Sequence, residues 1–344
     1  MVTASLPQKN REIHLLRRPQ GLPSLTDFTL YEREKIPSIN EGELLVRSLY
    51  LSVDPFMRGC IGGRPSIHAQ FPLNAPASGD GVGIVVASKH AGFKEGDHLY
   101  GKLEWADYSA VAASSMLTFD PHIVAPTTML SVLGMPAVTA YYGLLDIGKP
   151  KPKETVVISA GAGAVGSLVG QIAKMHGCRA VGITSSEKKA KYLFKELQFD
   201  AAINYKNDNW FDQLQSACPE GIDIYFDNVG GAISNSVIRK INQGARIVLC
   251  GQISSYNMEQ QGIGPHYFRE LIIKSATARG FRVLHDYKDR FPEARAQLLE
   301  WFKQGKIKSC ETVVDGLENM PQAFLDLFSG GNIGKQLVKT TLSA

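Results

Sequence analysis

Short apolar runs broken by glycine and proline fill the first 130 residues: ELLVRSLYLSVDP at 43–55, GVGIVVASKH at 81–90 and WADYSAVAA at 105–113. Runs punctuated this often predict a mainly β domain over 1–130. From about Val132 the pattern changes. ETVVISA at 154–160 reads as a buried strand, VGSLVGQIAKMHG at 165–177 as a helix and RAVGIT at 179–184 as a second strand, together one β-α-β unit. The rhythm continues through a helical SEKKAKYLFKEL at 186–197 and the strand-like AAINY at 201–205, IDIYFDNV at 222–229 and ARIVLCGQI at 245–253. Such alternation predicts an α/β domain over 131–309 built on a doubly wound parallel sheet. After residue 310 a strand-like CETVVDGL, a helical NMPQAFLDLFSGG and a final strand-like GKQLVKTTL follow, and the segment 310–344 is expected to rejoin the first domain.

Composition narrows the function classes. The chain has 344 residues, enough for two domains of about 150 each. Hydrophobic residues at 44% and charged residues at 20% are an ordinary globular mixture, which sets aside disordered, collagen-like and coiled-coil readings. The formal charge of +4 is spread along the chain with no basic block of the kind that binds nucleic acid. The five cysteines are odd in number and form no C-x-x-C, which argues against a disulfide framework and a zinc finger. The opening MVTASLPQKNREIHLLRRPQ carries charges where a signal peptide needs an apolar core. No later stretch has the roughly 18 consecutive apolar residues of a membrane span, so a cytoplasmic protein that avoids membranes is expected.

The chemistry begins at Gly161-Ala162-Gly163-Ala164-Val165-Gly166, a G-x-G-x-x-G between a predicted strand and a predicted helix. Gly161 permits the tight turn, Gly163 lets the backbone approach a pyrophosphate, and Gly166 lets the helix pack on the strand. The start of that helix then faces the anion. NAD-preferring sites place an acid at the end of the second strand, where this chain has Thr184, Ser185 and Ser186. Small hydroxyls followed by Lys188, Lys189 and Lys191 suit a 2′-phosphate, so NADPH is the expected cofactor. The opposing features are Glu187 close by and the ordinary reading of a lysine run as a solvated helix face.

The segments LYLSVDPFMRG at 49–59, LGMPAVTAYYGL at 133–144, GAGAVGSLVGQIAKMHGC at 161–178, YFDNVGG at 225–231, LCGQISSYN at 249–257 and GGNIGKQLV at 330–338 carry a resemblance. Together they resemble the zinc-independent branch of the medium-chain dehydrogenase/reductase superfamily, and most of all its prostaglandin reductases, leukotriene dehydrogenases and bacterial curcumin reductases. The opening NREIHLLRRPQGLPSLTDF at 10–28 is most similar to the curcumin group. The resemblance implies a GroES-like domain completed by the C-terminal tail, a Rossmann domain, an active site in the cleft between them, and a homodimer formed through sheet edges near 275–284.

The same resemblance implies site residues. Lys189, Ser185 and Ser186 would hold the 2′-phosphate, Tyr205 the adenosine side, and Asn228 and Asn332 the nucleotide. Cys250, Gly251, Ile253 and Ser254, with Phe281, Arg282 and Val283, would line the nicotinamide half. Cys250 is read as packing. Prostaglandin reductases typically read VDPYM where this chain has Phe56, so a hydroxyl role at that position is absent.

Zinc alcohol dehydrogenases of the superfamily carry a cysteine ligand near the position of Asp54 and a histidine at the position of Gly79. Their structural zinc needs four cysteines in the lobe around 90–110, where this chain has none. The histidines, His14, His68, His90, His98, His122, His176, His266 and His285, form no H-x-x-x-H pair. No metal is expected.

Without a Lewis acid, chemistry whose developing charge hydrogen bonds can handle is favoured. The expected reaction is hydride addition to the β-carbon of an α,β-unsaturated ketone or aldehyde, giving an enolate. Tyr256 is the candidate donor to its oxygen; the alternative gives Tyr256 only a positioning role. Phe56, Met57, Tyr267 and Phe281 are candidate contacts for a flat conjugated substrate, and Arg58 or Arg282 for an anionic tail. Residues 256–270, glycine-containing and polar, read as a loop over the site or as an ordinary connection. Quinone or carbonyl reduction on the same scaffold, and a non-catalytic nucleotide-binding protein, remain open alternatives.

Overall fold

The computed structural model describes residues 8–63, 66, 69–259 and 267–340. The chain divides into two compact units, one of Met1–Leu130, Glu311–Asn332 and Gln336–Ala344, the other of Ser131–Cys310 and Ile333–Lys335. In the first unit, β1 (Asn10–Leu15) pairs antiparallel with β2 (Phe28–Arg33). Next come β3 (Glu43–Ser52), β4 (Ser78–Ser88), β5 (His98–Glu104), β6 (Tyr108–Ala112) and β7 (Leu117–Phe119). β3 pairs antiparallel with both β4 and β6, and its Leu44, Val46 and Leu51 are fully buried beside Trp105, Met57 and Phe324.

The second unit holds β8 (Thr155–Ser159), β9 (Arg179–Thr184), β10 (Ala201–Asn204), β11 (Ile222–Asp227), β12 (Ile241–Leu249) and β13 (Thr277–Gly280). They lie in the order β10-β9-β8-β11-β12-β13, each pair parallel. Every residue of β8 is buried, the continuous apolar run expected of a strand covered on both faces. The order reverses at β8, which has β9 on one side and β11 on the other. Such a switch point opens a crevice at the carboxyl ends of the strands. Helices Gly166–Met175 and Glu187–Lys195 follow β8 and β9.

The chain then supplies β14 (Glu311–Asp315), helix Met320–Ser329 and β15 (Lys335–Lys339). β15 pairs antiparallel with β3, Leu337 opposite Ser52 and Lys339 opposite Tyr50, so the first unit's sheet runs β14-β15-β3-β4-β5-β7 with β6 beside β3. The segment read as a loop over 256–270 runs into a helix that spans Phe268–Ile273; 260–266 lie outside the described residues, as do His68 and His266.

Candidate active site at the carboxyl ends of the parallel strands

The turn after β8 is built by contacts that leave no room for side chains. A Cβ on Gly166 would lie 2.4 Å from the Ala160 carbonyl oxygen and 2.9 Å from the Gly161 Cα, and one on Gly161 would lie 3.0 Å from the Gly182 Cα. A Cβ on Gly163 would meet just the Ala160 oxygen, at 3.1 Å, so its outer side is open to a ligand. Ala164 and Val165 are half-buried and lead into the helix. The Gly334 N–H donates to the Ala162 carbonyl at 2.8 Å, pairing that strand end with the turn at Gly163. A tight glycine turn feeding a ten-residue helix is the cradle a pyrophosphate needs.

The corner after β9 is held by side-chain hydrogen bonds. Thr184 is buried, and its hydroxyl donates to the Ser186 and Ile203 carbonyls, each at 3.3 Å. Its side chain is directed toward these two carbonyls. Ser185 and Ser186 are half-buried, and Ser186 caps the next helix by accepting the Lys189 N–H at 3.3 Å. Burial, and then the neighbouring charge of Lys206, hold the Lys189 ammonium below its ordinary pKa. Two cations brought together at a strand end form a site for a dianion. Tyr205, its ring exposed, is fixed there by its N–H on the Thr184 carbonyl. Glu187 is tied down, its Oε1 accepting the side-chain amides of Asn204 at 3.1 Å and Asn207 at 2.9 Å. Lys206, Asn204 and Asn207 escaped the sequence reading; the signal was NYKN placed directly at the end of a strand.

Between β11 and β12 the organising group is Asp227, 2% exposed. Its Oδ1 accepts the Ser159 hydroxyl at 3.0 Å and the Tyr225 phenol, Val229 N–H and Gly230 N–H, each at 2.9 Å. Its Oδ2 accepts the Ser234 hydroxyl. Asn228 is held by Ser159 twice, through its backbone N–H to Oγ and its side-chain amide to the carbonyl. The next loop is laced to this one: Cys250 and Gly251 donate to the Asp227 carbonyl, Ile253 to Asn228 and Ser254 to Val229. Burial, followed by Asp227, pushes the Cys250 thiol up to about 12, which is inert packing rather than a nucleophile.

Tyr256 ends this loop. Its phenol accepts the Gln252 N–H at 3.3 Å, and burial raises its pKa. The Phe281 ring packs so closely on Gly143 that a Cβ there would lie 2.8 Å from its Cζ. Val283 is half-buried, and Arg282 is exposed with its N–H on Asp286. Tyr267 packs partly buried against the core of the second unit.

In the first unit, Phe56 is half-buried against the core. Met57 is 1% exposed, and the Arg58 guanidinium donates to the Pro19 and Gly21 carbonyls at 3.3 and 2.8 Å. Both are buried. Asn332 lies one residue before the 333–335 segment of the second unit. The positions that would carry zinc ligands do not fit a metal. A Cβ on Gly79 would lie 2.5 Å from the Met57 Cε and 3.0 Å from the Ser52 carbonyl oxygen, so no histidine fits. Asp54 accepts the Ser52 hydroxyl instead. Among the described residues no three His, Cys, Asp or Glu side chains gather as a metal-holding group.

Two family models match the chain: an N-terminal domain of oxidoreductase over residues 11–118 and a zinc-binding dehydrogenase over residues 164–302. A Bacillus subtilis (strain 168) protein, provisionally named an NADP-dependent oxidoreductase, is 49% identical over 96% of this chain and 98% of its own. The NADPH-dependent curcumin reductase of Escherichia coli (strain K12) is 39% identical over 96% of this chain and 97% of its own. The crystal structure of CurA from Vibrio vulnificus in complex with NADPH superposes with a TM-score of 0.92 at 41% identity, covering 97% of this chain and all of that one.

Proposed function

The chain belongs to the medium-chain dehydrogenase/reductase family, beside the curcumin and prostaglandin reductases, and from that premise we propose that it is an NADPH-dependent reductase of the C=C bond of α,β-unsaturated ketones and aldehydes. Curcumin-like enones are the first substrates to try. The observation that carries the cofactor reading is the pair Lys189 and Lys206 at the end of β9 and β10, beside Ser185 and Ser186 and with no acid standing at Thr184. A 2′-phosphate finds cations and hydroxyls there; a bare ribose leaves the cations without a partner.

When bound, NADPH supplies a hydride for the β-carbon of the enone. The chain's own residues do the rest. Gly161, Gly163, Ala164, Val165 and Gly166 receive the pyrophosphate. Tyr205, Asn228 and Asn332, with the Cys250–Ser254 loop and Phe281 to Val283, position the remainder. The Tyr256 phenol has its oxygen occupied by the Gln252 N–H and its proton retained by burial. It is thus set to donate to a carbonyl oxygen as negative charge develops there, while Phe56 and Tyr267 offer flat apolar contact.

Two further features belong to this reading. The protein forms a homodimer: β13 stands at the edge of the parallel sheet, and the neighbouring Phe268 and Ile272 are 74% and 79% exposed, an apolar edge that a second copy covers. Among the described residues no cysteine is in a disulfide, in keeping with a reducing cytoplasm. The test is anaerobic loss of NADPH absorbance against a panel of enones, quinones and saturated aldehydes, with EDTA controls and mass analysis of each product. A saturated ketone, formed equally with and without EDTA, supports the reading. Alcohols or semiquinones as the sole products overturn it.

A further inference from the structure

Sequence logic sets Glu187 against NADPH, because it is an acid one residue beyond the Ser186 cap at the very corner where a 2′-phosphate would lie. The structure gives it a different task. Its Oε1 accepts two amides, from Asn204 at the end of β10 and from Asn207 in the following turn. Asn204 also donates to the Asn207 Oδ1 at 3.2 Å, and its own Oδ1 accepts the Lys206 N–H at 3.2 Å. One carboxylate therefore joins the first turn of helix Glu187–Lys195, which carries Lys189, to the turn that carries Tyr205 and Lys206.

We propose that Glu187, with Asn204 and Asn207, is a clasp that positions the two walls of the 2′-phosphate corner, making Glu187 a positioning residue for NADPH rather than an opponent of it. The clasp rests on the NADPH reading above. Lys189 and Lys206 repel one another, so the two walls need a tie to stand together before the phosphate arrives. The amide donors hold the Glu187 charge and direct that oxygen toward Asn204 and Asn207. The tie is made between side chains, from the last residue of β10 and the turn after it, with the Lys206 backbone as its far anchor, so it sets where a cation stands relative to the sheet edge.

The clasp separates two substitutions that simple repulsion treats alike. Glu187→Gln removes the charge but keeps an oxygen that accepts both amides; Glu187→Ala removes the tie. Binding is measured by calorimetry for 2′,5′-ADP, which carries the 2′-phosphate, and for 5′-AMP, which lacks it. KM and kcat for NADPH and NADH are measured alongside. Glu187→Ala is expected to weaken 2′,5′-ADP by about five- to tenfold, the usual worth of a hydrogen-bonded tie. It should leave 5′-AMP, NADH and kcat at saturating NADPH within about twofold, and Glu187→Gln should keep 2′,5′-ADP binding at the level of the unaltered chain or tighter.

Equal tightening of 2′,5′-ADP by both substitutions would overturn the clasp in favour of repulsion. Parallel loss of 5′-AMP would overturn it in favour of general loosening, and so would an unchanged ratio. Equal affinity of the unaltered chain for the two nucleotides would remove the NADPH reading and the clasp with it.

Discussion

The phenol oxygen of Tyr256 accepts the backbone N–H of Gln252 at 3.3 Å, which brings it beside Gly251, where a Cβ would lie 3.1 Å from that oxygen. A hydroxyl anchored through its acceptor side keeps its proton for a second partner. Tyr256→Phe is expected to lower kcat with an enone by about tenfold to a hundredfold, in the range of losing one oxyanion donor. The dissociation constant for NADPH should stay within about twofold. Single-turnover kinetics check this, and an unaltered hydride-transfer rate would leave Tyr256 without a part in the chemistry.

The turn after β8 makes a sharper demand. Gly166→Ala places a methyl 2.4 Å from the Ala160 carbonyl oxygen, which forces the turn apart at a cost of about 1–3 kcal/mol. Both the denaturant midpoint and NADPH affinity should fall. A variant that keeps both would show that the helix can shift freely against the strand.

Lys189 carries a pH signature. Because burial and Lys206 hold its pKa below the ordinary 10.5, it loses its charge at a lower pH than an exposed lysine. Preference for NADPH over NADH is therefore expected to decline on the alkaline side while NADH binding stays level. Lys189→Ala should abolish that decline and weaken NADPH by about tenfold. Titration of both cofactors across neutral and alkaline pH reads the effect.

Removing Asp227 should be costly in a different way. Asp227→Asn leaves one acceptor oxygen where two carboxylate oxygens serve Ser159, Tyr225, Ser234 and two backbone N–H groups. The loss expected is about 2–3 kcal/mol, since buried donors go unpaired. Chemical unfolding measures it.

Cys250→Ala, by contrast, should keep enone turnover within about twofold, because a thiol pushed up to about 12 contributes no thiolate at neutral pH. Rapid inactivation of the unaltered protein by an alkylating agent, traced by peptide mapping to Cys250, would contradict this.

Much of the second unit was legible because parallel strands buried on both faces leave continuous apolar runs, and because the place of Gly166 between strand and helix admits no other residue. Side-chain direction was less so. Thr184 stands where a ribose contact belongs, yet its hydroxyl turns to the Ser186 and Ile203 carbonyls, a choice that the spacing of residues does not encode. Met57 and Arg58 lie in a motif that reads as substrate-facing, but the short helix Met57–Ile61 directs both inward. The Asp227 network was invisible because its donors Ser159 and Ser234 come from separate stretches of chain. The partners of Glu187 were hidden for the same reason: its charge was plain, and the two asparagines that use it were not.

The strut from Gly334 to the turn at Gly163 bears on how the protein comes into being. A Cβ on Gly334 would lie 2.0 Å from the Cys310 carbonyl oxygen, so this passage is as narrow as the turn it supports. It joins residues separated by nearly all the chain of the second unit, and contacts that close so long a loop form after local ones. The glycine turn can thus take shape early with its own strand and helix, then wait unbraced while the rest of the sheet assembles. A refolding chain should regain its secondary structure before it can retain a nucleotide, and the lag between the two is the time taken to thread the last strut home.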